Sequence, residues 1–136
     1  MTALTRDRST PQRDGRSFGR PVAAGTVIFA GSLVALNAAG NAVPGSTATT
    51  LVADGRAEET VDNSAGGIGD RTVLVRKGVF RFANSASTDL ITRAEIGDDC
   101  WIVDDQTVAK TSGSSTRSVA GRIVDVDAQG VWVRFT

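Results

Sequence analysis

The densest group of side chains able to do chemistry is Asp98, Asp99, Asp104 and Asp105, four carboxylates within eight residues. Hard cations take oxygen ligands, but this spacing matches no calcium loop and no glycine stands at a loop centre. The four are read as solvated turn residues, or as an acidic patch that receives a basic arm from a neighbouring chain. A second candidate is the glycine-rich run 62–70, Asp-Asn-Ser-Ala-Gly-Gly-Ile-Gly-Asp. A phosphate-cradling loop needs a strand before it and a helix after it. Here Thr72-Val-Leu-Val follows, which is a strand pattern, so a surface loop is expected. The third candidate is Cys100, the only cysteine, set in an apolar strand where a buried small residue fits better than a nucleophile. The chain has no histidine, so neither a Cys–His nor a Ser–His pair can form. The expectation is therefore no catalytic, cofactor-binding or metal residue, and no cofactor.

The elements that would carry these groups are short and extended. At the end of the chain, 120–127 and 130–135 form a hairpin broken at Asp127-Ala-Gln-Gly130. Pairing Val126 with Val131 puts Val124, Val126, Val131, Val133 and Phe135 on a core face. Ile123, Asp125, Trp132 and Arg134 then take the opposite face. Trp132 reads as a partly buried surface residue or as an anchor at a subunit contact, and Arg134 flanks it. A second hairpin spans 98–110, broken at Asp104-Asp105-Gln106. Before it, Thr92 and Glu95 have capping-box spacing and Gly97 can end a single helical turn.

Further upstream, 27–29 and 33–36 read as strands with a bend at Gly31-Ser32, and Pro44 marks a strand edge. Residues 49–54 and 56–61 read as another strand pair. In 71–84, Val73 and Val75 share one parity while Phe80 and Phe82 share the other. A bulge or tight turn at Gly78 would restore a single inward face.

Composition agrees with many turns and a small aliphatic core. The 136 residues include 15 glycines, 40% hydrophobic residues and 5% aromatics. That fits one all-β domain, a small β-sandwich or β-barrel, with one short helical turn. The single cysteine excludes an internal disulfide and points to folding in a reducing cytoplasm. No secretion signal is expected, because residues 1–20 lack an apolar run. The longest apolar stretch, 22–36, is interrupted and too short to span a bilayer.

Net charge is zero but unevenly placed. Residues 1–20 carry Arg6, Arg8, Arg13, Arg16 and Arg20 against Asp7 and Asp14, a net +3; the remainder is net −3. The segment 1–21 is too poor in apolar residues to order itself alone. It is read either as a solvated, disordered tail or as an extended basic arm that orders against a partner, with Phe18 as a plug, followed by a β-rich domain over 22–136. The charge is too weak for a nucleic-acid partner.

The order of a short helical turn, then IGDDCWIVDDQTVAKT, then AGRIVDVDAQGVWVRF resembles the head-decoration (capsid cement) proteins of tailed bacteriophages. The upstream run DNSAGGIGDRTVLVRKGVFRFANS is similar to the same family, and the resemblance spans about 24–135. It implies a β-rich structural virion protein, usually a homotrimer, that binds the outside of an assembled head and bridges the major capsid protein. It implies no enzyme, no nucleic acid and no membrane, with synthesis in the host cytoplasm and a place on the capsid surface. The binding residues expected on this reading are Arg6, Arg8, Arg13, Arg16, Phe18, Arg20, Trp132 and Arg134. Two rivals are a β-module on a phage tail or other assembly, and a trimeric β-fold nucleotide hydrolase with Asp70 or Asp98 orienting water.

Overall fold

The computed structural model describes residues 2–136. It is all-β. The strands are β1 (Ser17–Pro21), β2 (Thr26–Ile28), β3 (Leu33–Leu36), β4 (Ala42–Pro44), β5 (Val52–Ala57), β6 (Val61–Asn63), β7 (Thr72–Arg76), β8 (Gly78–Phe82), β9 (Asp99–Ile102), β10 (Val108–Ala109), β11 (Val119–Asp127) and β12 (Gly130–Phe135). Two single turns of 3-10 helix, Ser87–Asp89 and Arg93–Glu95, are the only helical pieces among the described residues. The strands form three sheets ordered β1-β7-β5-β3-β4, β10-β9-β11-β12-β8 and β2-β6. These linear orders describe layered sheets rather than a closed barrel.

The first sheet is the middle layer, and β3 shows why. Leu33 and Ala35 pack into the cluster that lines the second sheet, with Phe82, Ile102, Ile123, Val131 and Val133. Val34, on the alternate parity, packs with Val22, Ile28, Val73 and Val75 on the side of β2 and β6. A strand buried on both faces reads as a continuous apolar run, as Leu-Val-Ala-Leu does. Strand β4 is an edge, which suits Pro44, since proline cannot donate to a further ladder bond.

The capping box is present as expected. Thr92 Oγ1 accepts from the Ala94 N–H, the Glu95 carboxylate accepts from the Thr92 N–H, and Gly97 follows with φ +97°. The final hairpin pairs Val126 with Val131 and Asp125 with Trp132. Its register shifts between Ile123 and Asp125, so Ile123 faces the core beside Val133 while Val124 is only half-buried. One unpaired residue in the longer strand reverses the parity upstream of it.

Three further expectations change. The last residues of the basic arm are not free: Ser17–Pro21 is an edge strand paired to β7. A polar stretch can hold an edge when its backbone is taken up by a neighbour. Residues 52–57 form one strand rather than parts of two, running through Gly55 at φ +156°, where a Cβ would lie 2.2 Å from the Arg76 carbonyl oxygen. Gly78, at φ +150°, is not a bulge within a strand. It is the point where the chain leaves the first sheet (β7) for the second (β8), and this change of sheet reverses the parity between Val75 and Phe80.

Candidate functional site

Two clusters bring arginine and aromatic side chains together. The first lies at the root of the arm. Strand β1 places Phe18 opposite Val75 and Arg20 opposite Val73, on the inward parity of β7. Arg20 Nε and Nη2 donate to Asp54 Oδ2 and Oδ1 at 2.8 and 2.9 Å. Lys77 Nζ donates to Asp54 Oδ1 at 2.7 Å. Asp54 is only 2% exposed. Burial alone would raise its carboxyl, but the hydrogen bonds and charges of Arg20 and Lys77 outweigh it and hold the group below its ordinary range. The same bond raises the Arg20 guanidinium. The Phe18 ring lies against three cations: Arg20 at 4.8 Å, Arg13 at 4.9 Å and Lys77 at 5.9 Å. Phe18, expected as a plug against a partner, here packs against cations of its own chain.

The rest of the arm is different. Residues 2–16 are exposed throughout. Arg8 donates to Thr10 at 2.7 Å and Arg16 pairs with Asp14 at 3.4 Å, both inside the segment. Arg6 has no side-chain hydrogen bond or ion pair among the described residues. Of the five arm arginines, only Arg13 and Arg20 are brought to the Phe18 cluster.

The second cluster lies on the outward face of the second sheet. Trp132 is half-buried and opposite Asp125, as the register predicted. Its Nε1–H donates to Asp127 Oδ2 at 2.9 Å, and Arg81 from β8 lies over its ring at 5.6 Å. Arg134 is exposed and stands between Arg122 on β11 and Val79 on β8. Nearby, Arg93 reaches across to Asp125 at 2.8 Å.

The other candidates are occupied locally. In the glycine-rich loop, the Asn63 amide donates to the carbonyls of Val22, Ala23 and Gly67. The Gly67 N–H is taken by the Asp70 carboxylate, the Gly69 N–H by Val22 O and the Asp70 N–H by Gly67 O. A phosphate cradle needs those amides free and convergent, and Asp70 is used in closing the loop. Asp98 precedes β9 and Asp99 opens it, whereas Asp104 and Asp105 lie in the turn beyond it, where Asp104 accepts from the Gln106 N–H. Cys100 is buried and burial pushes its thiol up to about 12, which leaves it protonated and un-nucleophilic at neutral pH.

Sequence reasoning missed Asp54, Lys77, Arg81 and Arg122. A carboxylate inside the run Val52–Ala57 was the available signal for Asp54, since a buried acid requires a cation. Arg122 was not readable from the hairpin register, which in unbroken form sets Ile123 across from Arg134; the shift between Ile123 and Asp125 is what brings Arg122 there. No family model matches the chain, and neither does any curated protein or solved structure in the comparisons made.

Proposed function

We propose that this chain works by binding rather than catalysis, as a decoration protein on the outside of an assembled phage head. On this reading a homotrimer bridges copies of the major capsid protein on the virion surface, after synthesis in the host cytoplasm. Neither nucleic acid nor membrane is a partner. The observation that supports it best is the contrast between residues 2–16, exposed and held by little outside themselves, and Ser17–Pro21, built into the first sheet. A basic segment anchored at one end, whose Arg6 and Arg8 are exposed and meet no acid among the described residues, has donors left for carboxylates and carbonyls of another protein. Ordering it there costs entropy, which the new contacts offset. A ligand that binds only the assembled shell stabilises that state by mass action, and three linked copies multiply weak contacts.

The test is to measure the protein on purified heads and then to remove residues 2–16. Occupancy should fall while the thermal midpoint of the free protein stays unchanged. Unaltered occupancy removes the arm from the binding surface, and absence of the protein from heads overturns the reading.

A further inference from the structure

We infer that the outward face of the second sheet docks a carboxylate-rich segment of another protein, gripped by Arg122, Arg134 and Arg81 around Trp132. The inference rests on the reading of the chain as a binding protein and names the chemistry of its partner.

Three observations carry it. Arg122 and Arg134 are directly opposite on β11 and β12, and both are exposed. Like charges in directly opposed positions repel, so a sheet normally separates them or neutralises them. Here neither arginine enters an ion pair or side-chain hydrogen bond among the described residues. Second, Arg81 continues the same group onto β8: it pairs with Trp132 in the strand register and stacks on its indole without a carboxylate of its own within ion-pair distance. Asp127 feels the Arg81 charge but accepts the indole N–H instead. Third, these three unpaired arginines gather on one face although residues 21–136 are net −3. A cavity of about 480 Å³, lined by Asp99, Arg122 and Arg134 among others, opens beside the pair.

Arginine and tryptophan at the middle of a patch are the residues that dominate protein interfaces, because each offers a large apolar plane with directed donors. Two adjacent guanidinium groups fit two carboxylates bidentately. Asp99, Asp125 and Asp127 border the patch. Such acids repel the uniformly anionic phosphate chain of a nucleic acid, whereas a carboxylate-rich protein segment can set a cation of its own against them.

The test uses the isolated full chain, without particles, so it can fail separately from head binding. The protein is titrated with an octaglutamate peptide, and in parallel with octalysine and with an eight-residue oligothymidylate. Binding is read by NMR at the Trp132 indole N–H and at the Nε–H of Arg81, Arg122 and Arg134. These sites report this face even though the arm's arginines also attract the peptide. Octaglutamate should shift all four saturably. The double variant Arg122→Gln/Arg134→Gln should weaken that binding at least tenfold while its thermal midpoint stays at or above the parent's. The control Arg71→Gln/Arg76→Gln, which removes unpaired cations elsewhere, should leave it unchanged. The inference is overturned by no saturable shift at these groups, by tighter binding of the oligothymidylate, or by shifts that follow protein concentration alone and so report a second copy on this face.

Discussion

Two arginine–aromatic clusters in one small chain have opposite characters. At the arm root, Arg20 and Lys77 converge on Asp54, and Phe18 is covered by cations. On the second sheet, Arg81 covers Trp132 while Arg122 and Arg134 face each other without a carboxylate between them. The residue types are nearly the same. The difference is one buried acid. Where it is present, the guanidinium donors are spent inside the fold and the cluster fastens β1 to β5 across β7. Where it is absent, the donors remain available to a partner. An arginine beside an aromatic therefore signals a binding surface only when its charge is not already answered from within.

The comparison breaks most sharply at Asp54. Asp54→Ala should destabilise the chain by about 3 kcal/mol, because it leaves Arg20 and Lys77 partly buried without their acid. Denaturant unfolding measures this directly, and a loss below about 1 kcal/mol would show that the cations simply turn to solvent. The same site predicts an acid-dependent stability. Because the native Asp54 carboxyl lies below its ordinary range, the unfolded chain takes up the proton first as pH falls. The stabilisation is thus complete above the ordinary carboxylate range and is lost as pH falls through it toward the depressed native value. Asp54→Asn should reduce the slope of stability against pH on the acid side, measured by thermal unfolding in a pH series.

Gly78 joins the two regions, following Lys77 of the first cluster and opening the strand that carries Arg81. Gly78→Val should cost about 1–2 kcal/mol, since a β-branched residue fits φ +150° badly and its Cβ would lie 3.3 Å from the Phe80 ring. Equal stability of parent and variant, by chemical denaturation, would show that the backbone relaxes at the change of sheet.

The smallest effect on folding should come from the open cluster. Trp132→Ala removes a half-buried ring and the bond to Asp127, and should cost the isolated chain about 1 kcal/mol. Its effect on particle occupancy should be larger, because the ring's remaining surface lies on the face proposed to dock another protein. Unfolding of the variant with no separate change in association would place Trp132 in the core.

Much of the fold was legible from local pattern. The pairing of Val126 with Val131, the capping box at Thr92 and Glu95, the edge position of Pro44 and the buried Cys100 follow from alternation, spacing and proline's missing donor. These depend on neighbours in sequence, where backbone geometry and side-chain type act over a few residues. The arm arginines and Trp132 with Arg134 were also visible, as charged and aromatic types outside the apolar alternation.

Tertiary structure alone decided the rest. That β1 belongs to the first sheet depends on β7, more than fifty residues further along the chain. That Val75 and Phe80 change parity at Gly78 depends on which sheet each half joins. Above all, the fate of each arginine was set by long-range placement. Sequence supplied five arginines in the arm and ten basic residues beyond it, with acids scattered among them. Only the folded chain puts Asp54 under Arg20 and leaves Arg122 against Arg134, because Coulomb energy and desolvation depend on separations across the sheets, which no local pattern carries.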